Sequence, residues 1–132
     1  MVGIVKVDTL QNNAGTSSVD MDYVVNGTAK AWAEIAAGGA SIPDSFNFSS
    51  IDDDGTGEYG LNYTSAMGSV NYSANATMTF GHVSGGNNLR LVRVESKATS
   101  SVEIDSAYIS SSIFTSYDIE TNANVTVHGD LA

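Results

Sequence analysis

The chain has 132 residues, the commonest size for a single domain, and a formal net charge of −10. With 15 acidic against 5 basic side chains, it lacks the cationic surface that a nucleic-acid partner requires. Cysteine is absent, which excludes disulfides and thiolate metal sites. Because no run of about 18 apolar residues occurs, we expect no membrane insertion.

The supply of bulky apolar side chains is small. Leu, Ile, Val and Phe together number 30 of 132 residues, a little above the roughly 20% below which highly charged chains tend to be disordered. Another 14 residues are alanine, which contributes little transfer free energy on burial. We therefore expect a thin core that gains stability when copies of the chain associate.

The first 22 residues are predicted to form an arm. The apolar residues between Met1 and Val7 indicate a short strand, and the N-terminus shows neither a basic leader nor a long apolar segment. Asp8 to Asp22 is rich in Asn, Gly, Ser and Thr, which compete with regular structure through local hydrogen bonds. We expect synthesis in the cytoplasm without export.

Val24 to Ile35 is predicted to be a strand, although Lys30 to Ala37 also has helical propensity. The period of two would put one set of residues on one face and alanines on the other. The two sets are Thr28, Lys30, Trp32 and Glu34, and Ala29, Ala31 and Ala33. We expect Trp32 to be buried, because one large ring supplies a thin core with much of its area.

The strongest local signal is Asp54-Gly55-Thr56-Gly57. It separates two segments of alternating polarity, Phe46 to Ile51 and Tyr59 to Thr64, and this pattern predicts a β-hairpin. Pro43 fixes the turn that precedes the first of these segments.

Further strands are expected along the rest of the chain, with a turn cluster at Gly81 to Asn88. They are Val70 to Phe80, Leu89 to Glu95, Ser101 to Ile109, Ile113 to Ile119 and Asn124 to His128. Turns separated by about 8 to 12 residues are typical of antiparallel sandwiches and barrels. We predict an all-β, antiparallel, jelly-roll-like β-sandwich without helices.

Residues that could support chemistry are sparse. Asp52 to Asp54 lack the alternating acidic positions of an EF-hand loop and are more simply turn formers. His82 and His128 have no partner at metal-ligand spacing. Neither a cysteine nor a Gly-x-Ser-x-Gly elbow supplies a nucleophile. We therefore predict no enzymatic activity, no cofactor and no bound metal.

The large aromatic residues are candidates for the core or for an interface between copies. These candidates are Trp32, Phe46, Phe48, Tyr59 and Tyr63. A saccharide-stacking surface is the alternative, because sugars present flat C–H faces to aromatic rings. The candidates for that surface are Tyr59, Tyr63, Tyr72, Tyr108 and Trp32.

Three segments resemble a domain that recurs in the virion proteins of tailed bacteriophages, among them tail-fibre proteins. The segments are Gly27 to Trp32 (GTAKAW), Asp44 to Ile51 (DSFNFSSI) and Asp54 to Thr64 (DGTGEYGLNYT), followed by Met67 and Tyr72. The resemblance spans roughly Val7 to Phe114. It implies a virion structural protein, assembled in the host cytoplasm as a homotrimer, whose partners are its own copies and other virion proteins.

This resemblance implies a division into a docking arm (1–22), a β-sandwich knob (23–114) and a strand-forming C-terminal extension (115–132). The candidate docking residues are Ile4, Val5, Val7 and Leu10. The first functional hypothesis is a tail or neck fibre module that contacts a glycan or protein of the host surface. The alternative is a capsid decoration or head-fibre protein without a receptor role. A third is an unrelated carbohydrate-binding module.

Overall fold

The computed structural model describes residues 3–79, 89–110 and 113–132, and antiparallel strands dominate them. In chain order the elements are β1 (Thr9–Gln11), β2 (Ser18–Asp20), α1 (Met21–Gly27), β3 (Ala31–Ile35), β4 (Asp44–Phe46), β5 (Phe48–Gly55), β6 (Glu58–Tyr63), β7 (Ser73–Met78), β8 (Leu89–Lys97), β9 (Ser101–Ser110), β10 (Ile113–Ser116) and β11 (Ala123–His128). The predicted all-β antiparallel β-sandwich is confirmed, and the homotrimer stays a prediction.

Two antiparallel sheets pack against each other, and β1 and β2 pair separately as a two-stranded hairpin. One sheet has the strand order β4-β3-β11-β7. The other has five strands. In this sheet β9 pairs with β8 along one side. Along its other side, the first half of β9 pairs with β6 and the second half pairs with β10. β5 completes this sheet beside β6, so that both the β5–β6 and the β8–β9 hairpins lie in it.

The core combines small residues of the four-stranded sheet with larger residues of the five-stranded sheet. Its fully buried members include Ala31, Ala33, Ile35, Ala123, Val125 and Val127 from the first, and Tyr59, Leu61, Val102 and Ile104 from the second. They alternate with outward side chains along each strand, because successive residues of a strand point to opposite faces. The period-two pattern of the sequence therefore corresponds to real inner and outer faces.

The hairpin predicted at Asp54 to Gly57 is present between β5 and β6. Gly57 has a φ of 76°, and a Cβ there would lie 2.3 Å from the carbonyl oxygen of Ser106. Its amide donates to Asp118 Oδ1 at 2.9 Å. Glycine is required at this position because both the positive φ and the close backbone approach exclude a side chain.

The predicted strand Phe46 to Ile51 is interrupted at Asn47, which has a φ of 59°. Asn47 turns the chain from β4 in one sheet to β5 in the other. Its side chain holds this corner, because Oδ1 accepts from the amide of Ser65 at 2.7 Å and Nδ2 donates to the carbonyl of Ser65 at 3.1 Å. Asparagine suits the position because it tolerates the left-handed region better than other non-glycine residues.

The predictions for Val24 to Ile35 and for an absence of helices are wrong in part. The structure has the short helix α1 at Met21–Gly27, and the strand begins only at Ala31. Adjacent Val24 and Val25 break the period of two that a strand needs, while Gly27 and Thr28 end the helix. None of the residues of α1 is buried.

The division at residue 115 is also wrong, because the last residues are part of the sandwich. β11 lies between β3 and β7 in the four-stranded sheet, and Val125 and Val127 are fully buried. Ile119 is buried as well. The strand predicted at Asn124 to His128 is present, and it is an inner strand of the β-sandwich and not an extension beyond it.

Candidate functional site

The most exposed apolar surface lies in the N-terminal segment, which we define as residues 3–27. Seven of its large apolar side chains are exposed, with Val5 at 85% and Ile4 at 77%. The seven are Ile4, Val5, Val7, Leu10, Val19, Tyr23 and Val25. All four predicted docking residues are among them, which leaves their side chains free for a partner.

Local hydrogen bonds, and not a core, shape the N-terminal segment. Leu10 and Val19 face each other across β1 and β2, and the loop between these strands closes on Asn12, whose Oδ1 accepts from the amide of Thr16 at 2.9 Å. The amide of Met21 donates to the carbonyl of Asp8 at 2.8 Å. A lone two-stranded hairpin is at best marginally stable in water, so this segment gains most from a surface that covers its apolar side chains.

Three of the five predicted core or interface aromatics are buried in the sandwich. Phe48 and Tyr63 stack with ring centroids 4.9 Å apart, and Tyr63 and Tyr72 form a T-shaped pair with ring centroids 6.0 Å apart. Tyr59 lies over Gly39, where a Cβ would be 1.9 Å from its ring, and its hydroxyl donates to Asp118 Oδ1 at 3.3 Å. Burial raises the pKa of each of the three tyrosines above its ordinary value.

The expectation that Trp32 is buried is wrong for the single chain, and Phe46 is exposed too. Trp32 is 39% exposed and Phe46 52% exposed, as cross-strand neighbours on the outer face of the four-stranded sheet. The reason is that the alanine face of β3 points into the core, where Ala31 and Ala33 leave room for large residues of the facing sheet. The two exposed rings, which we call the aromatic pair, remain candidates for an interface.

Tyr108, a candidate for saccharide stacking, belongs to a cluster around Arg90 at one end of the inner face. The Arg90 guanidinium carbon lies 5.3 Å from the Tyr108 ring centroid and 4.4 Å from that of Tyr117, and Nη2 pairs with Glu120 Oε2 at 2.9 Å. These cation–π contacts and the ion pair tie β8 and β9 to the segment after β10. We assign the cluster a structural role.

Carboxylates gather on the outer face of the five-stranded sheet. A Cβ at Gly60 would lie 2.9 Å from Glu103 Oε2 and 3.2 Å from Asp54 Oδ2, so both carboxylates cover this glycine. Across the face, Arg93 Nε donates to Asp105 Oδ2 at 2.9 Å. We call this surface the acidic face, and its members are Asp52, Asp54, Glu58, Glu95, Glu103 and Asp105.

The pKa values of two carboxyls on the acidic face are raised. Burial is the largest cause of the raised pKa of Glu103, and the negative charges of Asp54 and Asp52 raise it further. A hydrogen bond from Ser101 acts in the opposite direction and lowers this pKa. For Glu95 the pKa is raised first because the Asp105 carboxylate can accept a hydrogen bond from the protonated form of Glu95, and then because of the negative charge of Asp105. Repulsion between like charges on this face therefore opposes full ionisation.

The remaining predicted positions form no chemical centre. Asp53 Oδ1 accepts from the amide of Gly55 at 3.2 Å, as expected of a turn former, whereas Asp52 lies within β5 and accepts from Asn62 Nδ2 of the neighbouring strand at 2.7 Å. Within residues 3–79, 89–110 and 113–132, no group of three or more His, Cys, Asp or Glu side chains could hold a metal ion. His128 is half-buried at the end of β11, whereas His82 and the turn cluster Gly81 to Asn88 lie outside the described residues. In the part of the chain that is described, no helix is long and apolar enough to span a membrane.

Comparisons with protein-family models, with curated proteins and with solved structures found no match for this chain.

Sequence reasoning missed the aromatic pair as an exposed feature and the acidic face as a surface. The exposure of the aromatic pair could have been predicted, because Trp32 alternates with Ala31 and Ala33 along one strand. If the alanines face the core, Trp32 must face outward. The acidic face could not have been predicted from the sequence. Its carboxylates come from four strands, which only the β6–β9 and β8–β9 pairings bring together.

Proposed function

We propose that this protein is a structural subunit of a tailed-bacteriophage virion, a tail or neck fibre module. Its N-terminal segment docks onto other virion proteins, and its β-sandwich body projects from the particle. The observation that carries the proposal is the contrast in burial, since seven large apolar side chains of residues 3–27 are exposed beside a sandwich with a filled core.

Two further observations support this function. The segments Gly27 to Trp32, Asp44 to Ile51 and Asp54 to Thr64 carry the resemblance to phage virion domains. The first runs from the end of α1 into β3, the second forms the β4–β5 corner and the third lies in the β5–β6 hairpin, so most of their residues belong to the strand framework. Loops held on such a rigid frame suit a role in contact with a host surface.

The proposed assembly is a homotrimer. A body with few bulky apolar residues gains burial when copies associate, and an exposed side chain such as Ile113, at 64%, would lose water in such contacts. Light scattering coupled to gel filtration should give three times the chain mass of 13.7 kDa. A monomer at every concentration would contradict this part of the proposal.

A capsid decoration or head-fibre protein without a receptor role is the second candidate. The acidic face favours it, because six carboxylates on one sheet face and a net charge of −10 would keep coated particles apart in solution. Both candidates need the same docking segment and differ in where the protein sits on the particle.

Docking is tested by the double variant Ile4→Asp with Val5→Asp. We expect this variant to be absent from purified particles, because two buried carboxylates at the docking contact would be costly. Val70→Asp is the matched control, since Val70 is 48% exposed in the body. Antibody-labelled electron microscopy of the particles then separates tail or neck from capsid. Absence of the unaltered protein from particles, or normal incorporation of the double variant, would refute the proposal.

A further inference from the structure

We propose that the outer face of the four-stranded sheet binds a neutral oligosaccharide, with the aromatic pair as its stacking platform. Trp32 and Phe46 are directly opposite each other on β3 and β4, and both are exposed. Opposite residues of an antiparallel pair have Cβ atoms about 4.5–5.5 Å apart. Two exposed aromatic rings at neighbouring positions offer apolar surface that the C–H face of a sugar ring can cover.

Polar side chains continue the platform across the sheet. The row that contains the aromatic pair runs Phe46, Trp32, Thr126 and Asn75, one residue from each of the four strands. The next row runs Asp44, Glu34, Asn124 and Thr77. Adjacent strands lie about 4.8 Å apart, so a chain of sugar residues along the first row would have hydroxyl, amide and carboxylate partners within reach.

The polar row contains acceptors that suit hydroxyl donors. Glu34 is half-buried, and its Oε1 accepts a hydrogen bond from Asn122 Nδ2, which holds the carboxylate in place. Asp44 is exposed beside Phe46. Sugar hydroxyls can donate to both carboxylates, whereas uronic or sialic acids would be repelled by them and by the net charge of −10. A neutral glycan is therefore the favoured ligand.

The size and charge of this surface argue against a second copy of the chain as the occupant. At 39% and 52% exposure, two rings of about 150–250 Å² each offer roughly 200 Å² of aromatic surface. A stable protein interface needs about 800 Å² per partner. A two-fold contact over the aromatic pair would also bring Glu34 and Asp44 close to their own copies, which adds repulsion.

The proposed glycan site is independent of the docking role of the N-terminal segment, because it uses different residues. Trp32 is the single tryptophan of the chain, so its fluorescence reports directly on the site. The probes are neutral tetrasaccharides of glucose, galactose, mannose and N-acetylglucosamine, with a tetragalacturonate as the anionic arm. At least one neutral probe should shift and saturate the emission at about 1 mM or below.

The contribution of each ring to glycan binding is tested by measuring the affinity of variants with isothermal titration calorimetry. Trp32→Ala and Phe46→Ala should each weaken the best neutral probe at least about tenfold. Phe114→Ala is the matched control, since Phe114 is 44% exposed on β10 of the other sheet, and it should leave the affinity unchanged. Thermal melting of each variant checks that the fold is retained.

Several outcomes would overturn the site. They are the absence of binding by every neutral probe at about 1 mM, equal or tighter binding of the anionic probe, and an equal loss of affinity in Phe114→Ala. A Trp32 emission that shifts with protein concentration in the absence of sugar would show that a second copy covers the face, which would also overturn the proposal.

Discussion

The N-terminal segment and the β-sandwich body use apolar residues in opposite ways. In the body, Leu61, Ile104 and Val127 are fully buried between two sheets. In the N-terminal segment, Ile4 and Val5 are exposed, although they are as hydrophobic as the core residues. Topology therefore controls burial in this chain, because the body has a facing sheet and, among the described residues, the short β1–β2 hairpin has none.

The largest expected effect tests this contrast with one substitution in each region. Leu61→Ala should lower the free energy of unfolding by about 2–5 kcal/mol, because it leaves a cavity among fully buried residues. Leu10→Ala, at a leucine 46% exposed on β1, should stay within about 0.5 kcal/mol. Urea unfolding followed by circular dichroism measures both. An equal loss in the two variants would mean that the N-terminal segment has a core of its own.

A second prediction uses two adjacent glycines of the body. Gly38 and Gly39 both have positive φ, but only at Gly39 would a Cβ meet a neighbour within 4 Å, the Tyr59 ring at 1.9 Å. Gly39→Ala should therefore cost about 1–3 kcal/mol more than Gly38→Ala, because it adds overpacking to the shared backbone strain. The difference in unfolding free energy between the two variants is the measurement. Equal costs would refute the close contact with Tyr59.

A third prediction compares two tyrosine hydroxyls inside the body. The Tyr72 hydroxyl hydrogen-bonds to the carbonyls of Ser101 at 2.9 Å and Ala98 at 3.1 Å. Within the described chain, the buried hydroxyl of Tyr63 has no hydrogen-bond partner. Tyr72→Phe should thus cost about 1 kcal/mol and Tyr63→Phe about zero. The reverse order in thermal melting would contradict this assignment of hydrogen bonds.

The smallest expected effect concerns pH and the acidic face. Because the pKa of Glu103 is raised in the folded chain, its contribution to stability is fully present below its unfolded pKa. That contribution is lost as the pH rises through its folded pKa. Glu103→Gln should remove this part of the pH dependence and stabilise the protein at pH 7, by less than about 1 kcal/mol because solvent screens the group.

Melting temperatures between about pH 4 and pH 8 would show the effect of Glu103→Gln as a flatter profile. Asp22→Asn, in the N-terminal segment, is the control for the loss of one negative charge elsewhere. If both variants flattened the profile equally, net charge and not the acidic face would be responsible.

Much of the fold could be predicted from local patterns, and the failures have identifiable causes. The β5–β6 hairpin was predictable because Gly55 and Gly57 supply the positive φ that its turn needs. The break at Asn47 was not predictable, because asparagine occurs both in strands and in left-handed corners. The hydrogen bonds from Asn47 to Ser65 select the corner conformation. The inner position of β11 was missed because strand order depends on contacts distant in sequence.

Local sequence is enough to predict the period-two segments, the turns between them and the lack of a core in the N-terminal segment. The packing of the two sheets selects the buried face of each strand. Trp32 lies outside because the space between the sheets is filled by Tyr59 and Leu61 and accepts alanine from β3. That choice depends on the volume left by the facing sheet, a quantity that no single strand encodes.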